Sequence, residues 1–238
     1  MTSPPHRQKP PRPNINGLLV VDKPKGPSSM DVVRVVRRRA GGAKTGHAGT
    51  LDPLATGVLL VLLGRATKQV ERLMATEKRY EATVDLSAFS TTDDAEGERT
   101  PVVVESTPTR ARIESELRER FTGAIEQRPP AFSAMKVGGR RAYKLARQGR
   151  EVKLEARPVV IHEIRLLEYD WPLARLDIRC GKGTYIRSLA RDLGAALGTG
   201  GYLADLRRTA VGPYTVDDAI ALDEVPEPLT EAHLQSVE

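Results

Sequence analysis

The chain has 238 residues, enough for one large domain of helices and strands, and its formal net charge of +6 favours a polyanionic partner. Its single cysteine excludes an intrachain disulfide framework, and its four histidines are scattered without the spacing of metal ligands. Because the N-terminus lacks the apolar core of a signal peptide and no apolar run is long enough to cross a membrane, we expect a cytoplasmic protein.

The first predicted elements follow a basic, proline-rich segment, residues 1–15, which we expect to be a disordered tail. The apolar run Leu18–Val21 predicts a short buried strand, and the prolines after it end that strand. A helix should then begin at a cap residue, Ser28 or Ser29, with its valines towards the core. Its C-terminal arginines complement the helix dipole, and facing RNA is the alternative interpretation.

The stretch from Gly46 to Gly57 displays one acid, Asp52, on a loop with three glycines and a proline. Six consecutive apolar residues follow it, Val58–Leu63, and predict a strand buried on both faces. Pro53 disfavours the helical conformation for Asp52 and so favours an extended pose. Two interpretations stay open here: a rigid loop that displays a functional carboxylate, or a tight turn whose aspartate bonds its own backbone.

Residues 78–86 alternate in polarity, so that Tyr80 faces inward on a predicted strand. From this pattern alone, Tyr80 is more typical of a core residue than of a catalytic one. The polar loop of residues 90–98 contains four carboxylates but no metal-binding pattern, which favours a solvated turn. The other predicted elements of this region are helices over residues 65–76 and 108–121 and a strand over residues 123–127.

Five basic residues between positions 140 and 150 fall within about three turns of a predicted helix and give it a basic face close to Tyr143. They are Arg140, Arg141, Lys144, Arg147 and Arg150. Basic side chains with an interleaved aromatic ring suit a phosphate backbone and an unstacked base. An ordinary solvated helix face is the alternative.

Two alternating segments, residues 159–167 and 174–180, predict an antiparallel hairpin with its connection at Trp171-Pro172. Thr184 should cap the next helix. Arg187 then falls in the first helical turn, where a cation opposes the helix dipole, so its position indicates a fixed anionic partner. The remaining predicted elements are a strand within residues 202–214 and a short helix to Ala221 that begins with a capping box of Thr215 and Asp218.

Several motifs together resemble those of the TruB family, the bacterial tRNA pseudouridine 55 synthases. They are Gly17–Pro24, Gly46–Gly57, Lys78–Tyr80, Lys182–Arg187 and Leu206–Arg208, and the resemblance runs from about Asn16 to about Ala221. It implies an α+β pseudouridine synthase fold, with a mixed, largely antiparallel sheet flanked by helices. It also implies an isomerase that converts uridine 55 in the T-loop of tRNA to pseudouridine, without a metal or an organic cofactor.

Three side chains would carry the chemistry that the resemblance implies. Asp52 matches the family's catalytic aspartate, Tyr80 its active-site tyrosine, and Arg187 the arginine paired with that aspartate. A carboxylate can help to exchange the C–N glycosidic bond for a C–C bond either by nucleophilic addition or by taking a proton from the sugar. We expect the cation of Arg187 to lower the pKa of Asp52, and we expect the target uridine to be flipped out of its stack first.

Other residues would surround the base and the RNA backbone. Tyr185 and Leu206 match residues around the base pocket of the family, and His47 matches a residue that contacts the RNA where the base is displaced. The basic residues that we expect to hold phosphates are Arg140, Arg141, Lys144 and Arg208. The expected partner is the T-arm of tRNA, bound by a monomer.

The chain departs from the family's usual pattern in one loop. Where family members carry an aspartate in a Thr-Asp-Thr stretch, this chain reads Ser90-Thr91-Thr92-Asp93-Asp94, and Asp93 or Asp94 would serve instead. We divide the chain into the tail of residues 1–15, a catalytic domain of residues 16–222, and a C-terminal tail of residues 223–238 without a full RNA-binding PUA-like domain.

Two other functions compete with this interpretation. A non-catalytic tRNA-binding or tRNA-folding module would keep the fold, but it would not need Asp52, Tyr80 and Arg187 together. A subunit of a guide-RNA-dependent synthase is the second alternative, and the expected lack of a C-terminal domain argues against it.

Overall fold

A ten-stranded mixed sheet organises the part of the chain that the computed structural model describes, residues 13–133, 135–137, 140–142, 148 and 154–237. The strands are β1 Gly17–Lys23, β2 Thr45–Ala48, β3 Thr56–Leu63, β4 Lys78–Asp85, β5 Ala88–Ser90, β6 Arg99–Pro101, β7 Gly123–Gln127, β8 Lys136–Val137, β9 Arg140–Arg141, β10 Arg157–Asp170, β11 Leu173–Cys180, β12 Tyr202–Val211, β13 Tyr214–Thr215 and β14 Ile220–Ala221. The α-helices are α1 Ser29–Arg39, α2 Val70–Ala75, α3 Arg110–Arg120 and α4 Ile186–Leu197. Single 3₁₀ segments lie at Gly64–Gln69, Val216–Asp218 and Glu231–His233.

The strand order of the large sheet is β14-β1-β3-β12-β4-β11-β10-β7, with β2 paired to β3 and β13 paired to β12. Only β14 with β1 and β12 with β3 are parallel among these pairs of the described residues. The predicted α+β fold with a mixed, largely antiparallel sheet is therefore confirmed. Because β12 lies between β3 and β4, it brings the Gly46–Gly57 loop beside the strand that carries Tyr80.

The predicted strand that is buried on both faces is confirmed, because residues Val58–Leu63 of β3 are all fully buried. Helix α1 covers one face with Val32 and Val36, and Leu73 and Val211 cover the other face. Each fully buried side chain of this kind contributes about 1.5–3 kcal/mol relative to an exposed one. The loop before β3 is thus joined to a deeply buried part of the core.

Helix α1 begins as predicted, with Ser28 as the N-cap and Asp31 completing a capping box. Its first residue is tied to the neighbouring loop. The hydroxyl of Ser29 donates to the carbonyl of Leu51 over 2.9 Å and accepts from the backbone N–H of the same residue over 2.8 Å. The first turn of α1 therefore fixes the backbone immediately before Asp52.

Two helices are shorter in the structure than the sequence predicted. The segment predicted as a helix over residues 65–76 begins as the 3₁₀ segment and becomes α-helical only at Val70. The capping box of Thr215 with Asp218 forms, but the helix ends after one 3₁₀ turn. It ends there because Ile220 and Ala221 extend and pair with β1.

The predicted cap at Thr184 is wrong. Its hydroxyl donates to the carbonyl of Gly181 over 3.2 Å, within the preceding turn. Helix α4 begins at Ile186 instead, after Tyr185, and no side chain caps it. The backbone N–H of Tyr185 donates to Oε1 of Gln127 over 2.7 Å, so a side chain from β7 fixes the chain at the start of this helix.

The predicted basic helix is wrong at Arg140 and Arg141. Arg140 and Arg141 lie on β9, which pairs with β8 in antiparallel register. A Gly-Gly pair, residues 138–139, separates these strands in the sequence, and such a pair is a hairpin signal that outweighs helical spacing. Lys144, the other basic residues of that prediction, and residues 1–12 lie outside the described residues. No helix within the described residues has both the length and the apolar character needed to span a bilayer.

Candidate active site

A cavity of about 300 Å³ opens between the Gly46–Gly57 loop, the start of α4 and strands β4 and β12. It brings together six of the residues predicted for the site, although they are far apart in the sequence. These are Asp52, Tyr80, Tyr185, Arg187, Leu206 and Arg208. His47 is not among the residues that line the cavity.

The backbone around Asp52 is held by several hydrogen bonds. The buried ammonium group of Lys23 donates to the carbonyl of Ala55 over 2.6 Å and to that of Pro53 over 3.3 Å. The backbone N–H of Gly26 also donates to the carbonyl of Pro53, over 2.8 Å. The structure thus supports the interpretation of a rigid loop that displays a carboxylate, and the side chain of Asp52 is 38% exposed in the cavity.

Arg187 links two carboxylates, as its unfavourable helix position predicts. Its Nε lies 3.0 Å from Oδ2 of Asp52, and its Nη1 lies 3.3 Å from Oδ2 of Asp94. The guanidinium also donates to the carbonyls of Thr92 and Phe132, over 3.3 and 3.1 Å. Because the side chain is buried and bonded on every side, its position relative to Asp52 is fixed.

The pKa of Asp52 is raised from its ordinary value, so the predicted net lowering is wrong. Burial is the largest cause of the rise, and it outweighs the attraction of Arg187, which acts in the predicted direction. The charge of Asp94 adds to the rise, while Lys23 opposes it. A carboxylate whose pKa moves towards neutrality is better suited to accept and return a proton.

Tyr80 and Leu206 form walls of the cavity. Tyr80 points inward from β4 as the alternation predicts, and burial raises the pKa of its phenol, which keeps it protonated at neutral pH. Leu206 is buried on the neighbouring strand β12. Tyr185 lies at the N-terminus of helix α4, and the guanidinium of Arg157 lies over its ring, 5.3 Å from the ring centroid.

Arg208 does not fit the predicted contact with RNA phosphates, because it is only 1% exposed. Its Nε donates to the carbonyl of Val58 over 2.7 Å, and its Nη2 donates to that of Gly49 over 3.1 Å. The guanidinium therefore holds the start of the loop that carries Asp52. The close approach of β12 also explains why residue 57 is a glycine. Its φ is +97°, and a Cβ at this position would lie 2.2 Å from the carbonyl oxygen of Arg208.

His47 lies half-buried on β2, opposite Val61 of β3. Burial lowers its pKa, and the nearby cation of Arg208 lowers it further, so the imidazole is neutral at pH 7. A neutral ring at this position can still stack or hydrogen-bond to a nucleotide, and the RNA contact of His47 stays a prediction.

The local sequence pattern gave no role to Lys23 and indicated a solvated loop around Asp94, although the family resemblance pointed to Asp93 or Asp94 in that loop. Lys23 stands in the motif Gly17–Pro24, where the pattern indicated only the end of a strand. In the structure its ammonium group is buried, and this burial lowers its pKa to about 8. Asp94 stands in the loop interpreted as a solvated turn, yet its side chain is buried against Arg187. The hydroxyls of Ser90 and Thr92, which both bond to Asp94, were the available signal. Within the described residues, no group of three His, Cys, Asp or Glu side chains is arranged to hold a metal ion.

Comparisons with known proteins find two family models and several relatives that match this chain. The family model described as "TruB family pseudouridylate synthase (N terminal domain)" matches residues 37–186, and "tRNA pseudouridylate synthase B C-terminal domain" matches residues 187–236. A Thermobifida fusca protein named tRNA pseudouridine synthase B is 50% identical over 227 residues, which are 90% of this chain and 76% of that protein. A Ruegeria pomeroyi protein of the same name is 50% identical over 215 residues, covering 89% and 70%. A chain in the crystal structure of a Cbf5-Nop10-Gar1 complex superposes with a TM-score of 0.69 at 32% identity, covering 88% of this chain and 53% of that one.

Proposed function

Since the chain belongs to the TruB family of pseudouridylate synthases, we propose that it converts uridine 55 in the T-loop of tRNA to pseudouridine. The observation that carries this proposal is the pair of Asp52 and Arg187, 3.0 Å apart in a cavity with two tyrosines and a leucine on its walls. The relatives named tRNA pseudouridine synthase B support tRNA as the substrate class. The resemblance of the motifs supports position 55.

The target base must leave its stack before it can enter the cavity, which costs a few kcal/mol. Tyr80 offers a flat aromatic face to the displaced base, and Leu206 offers an apolar contact next to it. Base stacking on an aromatic ring contributes about 1–3 kcal/mol, enough to offset much of the unstacking. The cavity thus favours an extruded pyrimidine.

The rearrangement breaks the bond between N1 and C1′, turns the base, and joins C5 to C1′. Afterwards the proton on C5 is lost and N1 gains one, so the atoms of the nucleotide balance. Asp52 acts either by addition to the nucleotide or by taking a proton from the sugar. Both routes start from the ionised carboxylate, and Arg187 is the cation placed to stabilise that form.

The test uses an unmodified tRNA transcript incubated with the protein, with pseudouridine mapped at single-nucleotide resolution. The proposal predicts product at position 55 and none in a matched transcript with cytidine at that position. Tight binding of the transcript without any product would support the non-catalytic tRNA-binding module. Product at another position would refute the assignment of uridine 55.

A further inference from the structure

Two neighbouring aspartates are each held by an arginine of the same helix face. Arg187 and Arg191 are one turn apart on α4, so their side chains lie side by side. Nη1 of Arg187 lies 3.3 Å from Oδ2 of Asp94, and Nη1 of Arg191 lies 2.8 Å from Oδ2 of Asp93. The first contact belongs to the candidate active site. The second lies outside the cavity, because neither Arg191 nor Asp93 lines it.

Asp93 has a backbone conformation that needs support. Its φ is +60°, in the left-handed region that residues other than glycine rarely adopt. The carbonyl of Asp93 accepts from the N–H of Leu203 over 3.0 Å, and the N–H of Ala95 donates to the carbonyl of Leu203 over 2.9 Å. The loop is thereby attached to β12 on both sides of Asp94, with the strained residue at the turn.

Arg191 is itself fixed in place. Its Nη2 donates to the carbonyl of Arg128 over 2.9 Å, and its Nε donates to Oδ1 of Asp192 over 2.9 Å. The side chains of Arg191 and Asp93 are 24% and 14% exposed, so water screens their contact only partly. This pair therefore differs from an exposed surface ion pair, which usually contributes little.

The position of Asp93 determines where two hydrogen-bond acceptors of Arg187 lie. Nη1 of Arg187 donates to the carbonyl of Thr92 over 3.3 Å and to the carboxylate of Asp94 over 3.3 Å. These two residues stand immediately before and after Asp93. A shift of Asp93 would move both acceptors together, and with them the guanidinium that faces Asp52.

We propose that the ion pair of Arg191 with Asp93 positions Arg187 against Asp52 for the reaction. This inference rests on the proposed function only for its activity readout. Arg191 and Asp93 do not touch the reacting atoms; they act through the loop that presents Thr92 and Asp94 to Arg187.

The test compares Asp93→Asn with the wild-type protein. Asparagine tolerates the left-handed conformation, so this change removes the charge without changing the preferred backbone. We expect the single-turnover rate to fall about 10-fold to 100-fold, the range produced by small misplacements of catalytic groups, while the Kd for tRNA stays the same. Asp93→Gly should behave in the same way, because glycine also accepts a positive φ.

A second readout needs no RNA. Asp52 is faced by Arg187, Asp94 and Lys23, and a less well placed Arg187 would leave its pKa higher than in the wild-type protein. A carboxyl-carbon NMR titration of Asp52 should show this rise in Asp93→Asn. The matched control is Glu168→Gln, which removes an ion pair of 2.7 Å with Arg175 on the hairpin of β10 and β11 and should change neither readout.

A double-mutant cycle separates positioning from general destabilisation. Arg191→Met also removes the bonds to Arg128 and Asp192, so the informative comparison is made in its background: adding Asp93→Asn to Arg191→Met should lower the rate no further than Arg191→Met alone. Arg191→Lys keeps the charge but not the forked geometry, so its rate should lie between those of wild type and Arg191→Met. An unchanged pKa of Asp52 in folded Asp93→Asn, or additive effects in the cycle, would overturn the positioning role. Absence of product from the wild-type protein would instead count against the proposed function, and the NMR titration would still decide the positioning role.

Discussion

Replacing Arg187 with methionine tests whether this cation controls the ionisation of Asp52. Methionine fills most of the same space but removes the charge that lies 3.0 Å from Oδ2 of Asp52. Without the guanidinium of Arg187, the carboxylates of Asp52 and Asp94 lose the cation that both of them contact. The pKa of Asp52, already raised by burial, should rise further.

The size of the rise follows from the geometry. Two unit charges about 4 Å apart at an effective dielectric constant of about 20 interact by about 4 kcal/mol, which corresponds to about three pKa units. Asp52 is 38% exposed, so solvent screening reduces this figure, and we expect a rise of about one to two units. Since the ionised form starts the reaction, activity is lost as the pH falls through the pKa of Asp52. The acidic limb of the pH–rate profile should therefore move to higher pH by about one to two units in Arg187→Met.

The assay measures single-turnover pseudouridine formation in a tRNA transcript at a series of pH values. Adding Asp94→Asn to Arg187→Met should move the acidic limb part of the way back, because the like charge of Asp94 raises the pKa of Asp52. An acidic limb that stays at its wild-type pH in Arg187→Met would refute the electrostatic role of Arg187. A rate that falls equally at every pH would indicate that Arg187 acts only in positioning.

Two further predictions concern stability. Gly57→Ala should destabilise the fold by about 3 kcal/mol or more in urea unfolding, because its Cβ would lie 2.2 Å from a carbonyl oxygen at a φ of +97°; a loss below about 1 kcal/mol would contradict the close approach of β12. Asp177→Asn should cost about 2 kcal/mol at pH 7, because Arg79 and Arg165 bond to this buried carboxylate and lower its pKa. Because the pKa of Asp177 is lower in the folded protein than its ordinary value, its carboxylate stabilises the fold at any pH above that ordinary value. This stabilisation is lost as the pH falls through the lowered pKa, so wild type and variant should converge in stability in acid. A constant difference down to pH 2 would contradict this expectation.

Local patterns predicted the parts of the site that depend on a single segment. The apolar run Val58–Leu63 predicted a strand buried on both faces, and alternation predicted that Tyr80 faces inward. The position of Arg187 in a first helical turn predicted an anionic partner, because a cation is unfavourable there without one. These predictions succeeded since burial and helix electrostatics act over a few neighbouring residues.

The predictions that failed depend on distances that no single segment encodes. Arg208 has the sequence context of a surface cation, but it is buried because the glycine at position 57 leaves room for its backbone and three carbonyls accept its donors. The net pKa direction of Asp52 depends on the balance between burial and Arg187, which only the folded cavity determines. Asp94 resembled a residue of a solvated turn because its partner lies on a distant helix.

The central claim is that Asp52 carries the isomerisation of uridine 55, and Asp52→Asn tests it most directly. The side chain keeps its shape and its place beside Arg187 but cannot supply a carboxylate. The measurement is pseudouridine at position 55 of an unmodified tRNA transcript under single turnover, together with the Kd for the same transcript. We predict no detectable product and a Kd within about threefold of wild type, since the change is worth less than about 1 kcal/mol in binding. Product formed at the wild-type rate by Asp52→Asn would contradict it.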